Sequence, residues 1–220
     1  MDAERSILYL KKVKSVKPVA PGVFVLSFSR DFNFKSGQVL AIDVVPDRQP
    51  RLYSIASGEK DEDIDILFDE RPDGQLTPIL SVLKPGDSIF VSKPFGTFQC
   101  PDEKAWWIAS GTGIAPFVSM ARTGLSTGKV LIHGGRKDEN FYFSDILEKL
   151  LGQNYIRCAS QQTGTTFYNG RLTQWLRDVR QLPVDGKFYL CGSPEMVVEV
   201  RDLLISKGAA FHNIISETYF

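Results

Sequence analysis

Two glycine turns carry most of the chemistry this sequence offers. In WWIASGTGIAPF (106–117) an apolar strand runs into Gly111-Thr112-Gly113, and a helix is expected from about Ala115, with Pro116 in its first turn. Glycines let a backbone approach a ligand closely, and the free N–H groups of a helix start favour an anion. A lone GxG also fits a tight strand-to-helix turn that binds nothing. The full GTGxAP string, with Thr112 exposed at its tip, favours a ligand. The spacing is not GxGxxG, so the common dinucleotide fingerprint does not itself apply. CGSP (191–194) repeats the pattern as strand end, glycine turn, serine cap, proline and helix. Cys191 taken alone reads as a small buried apolar residue. With Gly192 it falls on the same sheet edge as Gly111 to Gly113, and two such turns together point to one ligand.

A second set of candidates lies earlier in the chain. RLYSIAS (51–57) reads as a strand, and a period of two puts Arg51 and Tyr53 on one face with Leu52 and Ser54 on the other. DGQLTP (73–78) is a glycine turn feeding a helix. Gly74 would allow close approach there and Thr77 would supply a hydroxyl; a well-capped helix after a hairpin loop fits the string equally well. Arg51 is the matching charge, because a guanidinium grips phosphate oxygens as a two-pronged fork. His133 and His212 stand singly beside apolar runs and read as core or surface residues. The sequence offers no paired acids, nucleophile elbow or metal-ligand spacing. Two anion sites without acid–base machinery suggest an enzyme whose chemistry is carried by a bound cofactor.

These residues need elements of two kinds to position them. Up to about residue 100 the signals are short strands: 22–30, 38–45, 51–57, 63–70 and 87–93, rich in Val, Ile and Phe and separated by Pro, Gly and Asp. They predict a small antiparallel barrel. One helix is expected at 77–84, capped by Thr77, started by Pro78 and stopped by Pro85-Gly86. From residue 101 strands (105–110, 129–134, 154–159, 187–192, 212–216) alternate with helices (about 115–123, 144–151, 172–180, 194–207), which predicts a doubly wound parallel sheet. Ser193 caps the last helix, whose Met196, Val197, Val200, Leu203 and Leu204 form one apolar stripe. The expected organisation is thus a β-barrel domain over 1–100 and an α/β domain over 101–220.

Bulk properties narrow the function classes. With 220 residues there is room for two modest cores, and 43% hydrophobic and 24% charged residues suit a globular protein. Lys+Arg and Asp+Glu both number 26, so no overall basic field favours nucleic acid or a membrane surface. No apolar run approaches the roughly 20 residues of a membrane span. The opening MDAERSILYLKKVKS does not read as a signal peptide. Cys100, Cys158 and Cys191 are scattered, which argues against a disulfide framework, a zinc site or an iron–sulfur cluster. A reduced, cytoplasmic monomer is the expectation.

Taken in order, the strings resemble the ferredoxin–NADP reductase superfamily of flavoproteins over nearly the whole chain. RLYS is similar to its flavin motif RxYS, FKSGQ (34–38) to the turn ahead of it and KPFGTF (93–98) to the stretch closing the barrel. GTGIAPF and CGSPEMV are similar to its two nicotinamide-nucleotide turns. PDGQLTP (72–78), LKPGD (83–87) and the tail ETYF (217–220) resemble the short bacterial ferredoxin/flavodoxin reductases in particular. The resemblance implies an FAD-binding barrel and an NAD(P)-binding α/β domain with the flavin at their junction. By carry-over, Arg51 holds the FAD pyrophosphate, Tyr53 packs on the flavin ring with Leu52 beside it, and Ser54 hydrogen-bonds near N5. Gly74, Gln75, Leu76 and Thr77 bind the pyrophosphate, and Tyr219 or Phe220 covers part of FAD. Gly111, Thr112, Gly113, Pro116 and Gly192 receive NAD(P)H, Cys191 sits near the nicotinamide, and Glu217 near the flavin.

The family's arginines for a 2′-phosphate are met by Arg136 and Arg171. Its Ser-Arg pair reads Ser160-Gln161 here, which supplies no charge; NADPH is favoured over NADH on the two arginines. Hydride would pass from NAD(P)H to the flavin, and single electrons onward to ferredoxin or flavodoxin. Lys11, Lys12, Lys14, Lys17, Lys35 and Arg48 are candidates for a basic docking face. Two other readings stay open: an NAD(P)H-dependent flavin or quinone reductase or electron-transfer subunit, and a flavin-binding regulatory module without turnover.

Overall fold

The computed structural model describes residues 7–46, 48–164 and 166–217. The chain forms two compact units. One holds the chain up to Gln99 together with Ala115–Thr123; the other holds Cys100–Ile114 and the chain from Gly124 onward.

The first unit is an antiparallel six-stranded sheet of β1 (Tyr9–Ala20), β2 (Val23–Ser29), β3 (Val39–Asp43), β4 (Arg51–Ser54), β5 (Asp63–Asp69) and β6 (Ser88–Val91), in the order β4-β3-β6-β1-β2-β5. A bridge from Ile55 to Ile66 joins the two edge strands, so the sheet closes into the expected barrel. Leu26, Phe28, Leu40, Ile42, Ile64, Ile66, Phe68, Ile89 and Val91 fill it. The long strand β1 was not expected. Its YLKKVKSVKPVA is lysine-rich and only Val13 is buried; it is made a strand by pairing with β2 on one side and β6 on the other. Pro21-Gly22 turns it into β2, with Gly22 at φ 71, a conformation that suits glycine.

The expected 77–84 helix is shorter. α1 runs Thr77–Ser81 and is capped by Leu76 without a side-chain bond, so Thr77 is not the cap. Its hydroxyl instead accepts the Arg71 N–H at 2.8 Å, closing the 71–77 loop. The helix stops early because Val82, 70% exposed, buries little, while Leu83 packs on the barrel core from outside the helix. The second helix, α2 (Ala115–Arg122), belongs to this unit by its contacts and is buried over Ala115 to Ala121.

The second unit is a six-stranded parallel sheet of β7 (Ala105–Ser110), β8 (Lys129–Gly135), β9 (Tyr155–Ala159), β10 (Tyr168–Asn169), β11 (Lys187–Cys191) and β12 (Ile214–Glu217), in the order β10-β9-β8-β7-β11-β12. α4 (Leu172–Asp178) and α5 (Pro194–Ser206) cover one face through Leu172, Leu176, Val200 and Leu204, packed on Ile108, Ile132, Phe188 and Leu190. Trp107 and Leu131 alternate with Ile108 and Ile132 and are equally buried on the opposite face, as a doubly wound sheet requires. α3 (Ser144–Leu151) connects β8 to β9. The chain steps outward from β7 through β8, β9 and β10, then returns to the other side of β7 with β11 and β12. Strand order therefore reverses between β7 and β11. In open α/β sheets ligands bind at the carboxyl ends of the strands beside such a reversal.

Candidate functional site

At that reversal the two glycine turns meet. β7 ends at Ser110 and the chain makes a 3₁₀ turn over Gly111–Ile114; β11 ends at Cys191 and passes through Gly192 and Ser193 into α5. Gly111 has φ 55, open to glycine at no cost. Gly113 is fixed by space: a Cβ there would overlap the Cys191 carbonyl oxygen and lie 2.5 Å from the Gly192 nitrogen. A Cβ on Gly192 would overlap the Ser110 hydroxyl and come within 2.6 Å of the Met196 methyl. The turns thus touch backbone to backbone, and Ser193 caps α5 by accepting the Met196 N–H at 3.3 Å. Thr112 is half-buried, and Pro116 is buried as the second residue of α2.

Strand register sets Glu217, Cys191, Ala109, His133 and Arg157 in one row across the sheet, so their side chains share a face. Burial pushes the Cys191 thiol up and the adjacent Glu217 carboxylate adds to the shift, so Cys191 is a neutral, compact thiol rather than a nucleophile. His133 is fully buried, a core histidine. Its Nδ1 shares a 2.9 Å hydrogen bond with the Tyr155 hydroxyl and Phe141 packs edge-on against its ring. Burial, and then the Arg157 charge, bring its pKa down to about 3. His212 is exposed.

On the other side of β7 the same carboxyl edge holds the remaining nucleotide candidates. Ser160 N–H donates to the Gly135 carbonyl at 3.0 Å and Gln161 N–H to the Arg136 carbonyl at 2.8 Å. Gly170 N–H donates to Ala159 at 2.9 Å, and Arg171 follows as the first flank of α4. The ladder therefore gathers Arg136, Ser160 and Arg171 at one edge. Arg48, Arg71, Arg122, Arg157, Arg177 and Arg201 each hold an acid. Arg136 and Arg171 are exposed, and no such pair holds either among the described residues.

In the first unit, β4 pairs Arg51 with Ile42 and Tyr53 with Leu40 across β3. Arg51 and Tyr53 share a face, as their spacing requires. Tyr53 is half-buried edge-on to Phe68, 6.4 Å between ring centres, and burial pushes its phenol up. Arg51 is exposed and makes no ion pair among the described residues; Leu52 is exposed and Ser54 buried on the other face. Gly74 lies in a tight turn, its N–H 2.7 Å from the Arg71 carbonyl, and a Cβ would come within 3.0 Å of that oxygen. Gln75 is exposed, and its carbonyl accepts a long 3.4 Å bond from Arg48. Leu76 points into the barrel core, leaving only its backbone for a ligand. FKSGQ and KPFGTF pack together: Val39 and Phe95 exchange two backbone bonds, and a Cβ on Gly37 would overlap the Phe98 carbonyl oxygen. Tyr219 and Phe220 lie outside the described residues.

The expected basic face is largely neutralised. Lys11 pairs with Asp31, Lys14 with Asp63 at 2.7 Å and Lys35 with Glu59 at 3.3 Å, while Lys12 donates to Ser88 Oγ at 2.9 Å. Arg48 forks onto the buried Asp43; although burial opposes it, that pairing and the Val45 and Val44 N–H groups hold the Asp43 carboxyl below its ordinary range. Of the six, Lys17 alone has no partner among the described residues. Sequence spacing also missed Ser57, Glu59 and Arg122, whose partners lie far along the chain.

Residues 107–202 match the model of the oxidoreductase NAD-binding domain. A ferredoxin–NADP reductase from Azotobacter vinelandii is 31% identical, the match covering 90% of each chain. One from Pseudomonas aeruginosa is 29% identical over 92% of this chain and 91% of its own. Among solved structures, a ferredoxin NADP+ reductase from Neisseria gonorrhoeae with bound FAD and NADP superposes with a TM-score of 0.87 at 23% identity, covering 97% of this chain and 99% of that one. With its barrel, its parallel sheet and this similarity from end to end, the chain belongs to the ferredoxin–NADP reductase family.

Proposed function

We propose that the protein is an FAD-dependent oxidoreductase that takes hydride from NAD(P)H, NADPH preferred, and passes single electrons to ferredoxin or flavodoxin. Relatives named ferredoxin–NADP reductase support the activity, and the FAD and NADP bound to the gonococcal protein support the cofactors. The observation that carries the reading is the Gly113–Cys191 approach at the strand reversal, a backbone cradle that a single methyl would fill. The residues fit the cofactors. Arg51 offers an uncommitted guanidinium for a pyrophosphate, with Tyr53 beside it as a flat wall for a ring. Gly74 allows close approach and Gln75 to Thr77 add backbone N–H groups, and Ser54, Glu217, Tyr219 and Phe220 complete the proposed FAD set.

In this reading residues 1–100 form the FAD-binding domain and 101–220 the NAD(P)-binding domain, with Glu217, Tyr219 and Phe220 the latter's contribution to the FAD set. Gly111, Thr112, Gly113, Pro116 and Gly192 receive the coenzyme's pyrophosphate and nicotinamide. Arg136 and Arg171 take the 2′-phosphate, with Ser160 as a neutral donor. A bound flavin supplies the change from two-electron to one-electron transfer, which no side chain here can perform. The chain's own work is orientation: Cys191, itself buried, stays a neutral thiol beside the nicotinamide.

Anaerobic bleaching of the yellow protein by NADPH, and cytochrome c reduction that depends on added ferredoxin or flavodoxin, test the reading. Colourless protein unable to take up FAD would sink it. The paired lysines favour one second reading. A toluate dioxygenase electron-transfer component of Pseudomonas putida is 28% identical over 96% of this chain and 67% of its own, and the paired lysines leave little free positive charge to attract an acidic ferredoxin or flavodoxin. Bleaching without any dependence on ferredoxin or flavodoxin would select it, and absence of bleaching would leave a flavin-binding module. A cytoplasmic monomer completes the reading, in keeping with three buried cysteines outside any disulfide; gel filtration and cell fractionation check it.

A further inference from the structure

Helix α2 follows directly on the Gly111–Ile114 turn. Apolar burial would hold such a helix in place, but it is non-directional and leaves rotation and axial shift loosely set. α2 and the residue that follows it carry directional pins as well. Ser119, Arg122 and Thr123 stand at i, i+3 and i+4, one face of a helix, and all three bond the segment just after β4 or the start of β5. Ser119 Oγ donates to the Ser57 carbonyl at 2.6 Å. Arg122 divides its guanidinium between two acids, Nη2 2.8 Å from Asp61 Oδ2 and Nη1 2.9 Å from Asp65 Oδ2. Thr123 Oγ1 accepts the Glu59 N–H at 3.1 Å.

The acids are themselves held. Asp61 accepts the Gly58 N–H at 2.6 Å and Asp65 accepts the Ser27 hydroxyl at 2.7 Å. Glu59 is tied to the FKSGQ turn through the Ser36 N–H at 2.9 Å. Gly58 is the close-approach point, where a Cβ would lie 3.0 Å from the Arg122 Cβ. Ser57 is three residues beyond Ser54, and Ser119 five beyond Ile114. The pins therefore join the segment continuous with the flavin strand to the helix continuous with the nucleotide turn.

We propose that Arg122 is a positioning residue for hydride transfer, fixing α2, the helix that continues directly from the Gly111–Ile114 turn, by its two-acid fork on Asp61 and Asp65. This rests on the reading of β4 and that turn as cofactor sites. The step it serves moves a hydride, one proton with two electrons, from NAD(P)H to the flavin and releases NAD(P)+. Displacement of a reacting group by about 1 Å costs on the order of a hundredfold in rate, so the loss on breaking the fork falls at or below that scale.

FAD-loaded wild type, Arg122→Ala, Arg122→Lys and Ser119→Ala are mixed rapidly with NADPH under anaerobic conditions, and flavin absorbance separates the limiting reduction rate from the apparent Kd. The limiting rate should fall roughly tenfold or more in Arg122→Ala at unchanged FAD content, with an intermediate value for Arg122→Lys, which keeps the charge but not the fork. An unchanged limiting rate in FAD-replete Arg122→Ala overturns the proposal, as does a rate falling only in proportion to lost FAD. Should Arg122→Ala not fold, Ser119→Ala decides: a slower limiting rate supports the proposal and a wild-type rate overturns it. Wild type that neither coenzyme bleaches overturns the functional reading and this proposal with it; bleaching wild type with an unaffected variant overturns this proposal alone.

Discussion

Replacing His133 by glutamine should flatten the acid side of the second unit's stability profile. His133 is fully buried and, in the folded protein, titrates at about 3 against an ordinary 6.5. The unfolded chain therefore takes up a proton first as pH falls, and the stability that neutral His133 contributes, complete above pH 6.5, is lost progressively down to about pH 3. At roughly 1.36 kcal/mol per unit, going from pH 7 to pH 5 costs about 2 kcal/mol. Glu195, whose carboxyl is held below its ordinary 4.5 by its own backbone N–H and by Ser193, titrates below that window. The interval from pH 7 to 5 thus isolates the imidazole from such carboxylates. Trp106, Trp107 and Trp175 are the chain's three tryptophans and all lie in the second unit, so urea unfolding followed by indole fluorescence reads that unit selectively. Glutamine keeps an acceptor for Tyr155. Equal pH slopes in wild type and His133→Gln would refute the reasoning.

Gly113→Ala forces a methyl into the Cys191 carbonyl and should cost roughly 1–3 kcal/mol, read by the same fluorescence assay, along with a raised KM for NADPH. Arg51→Ala should lose FAD on gel filtration while the apo barrel keeps its circular dichroism, because the exposed Arg51 makes no ion pair among the described residues. Gln161→Arg should raise the NADPH-to-NADH ratio of kcat/KM by about tenfold, the scale of one exposed charge-assisted hydrogen bond. No change would mean that position 161 does not face the 2′-phosphate.

The glycine turns were legible because their residues are local: strand, Gly, helix start and Pro fall within a dozen positions. So were most of the strands, whose Val and Ile runs are bounded by turn residues. β1 escaped because its surface lysines hide the alternation, and its pairing with β2 and β6 is what makes it a strand. Thr77 has the right type for a cap, but its hydroxyl was claimed by Arg71, a tertiary bond that a local rule does not see. The neutralised lysines belong to the same class. Lys14 and Asp63 are 49 positions apart, and only the folded sheet makes them neighbours. His133 looked like an ordinary core histidine and is one, but the row it shares with Cys191 and Glu217 needs three strand registers at once.

The division of the chain into units has a practical consequence. The first unit borrows Ala115–Thr123 from the middle of the second, so neither is a continuous stretch of sequence. A chimera built to change coenzyme preference by splicing at Gln99 would import a foreign α2, with strange residues opposite Ser57, Asp61 and Asp65. The exchangeable cassette is therefore discontinuous: residues 100–114 and 124 onward would be replaced, while 115–123 stay with the host barrel. A chimera of this protein with a relative therefore has four segments and three junctions, after residues 99, 114 and 123.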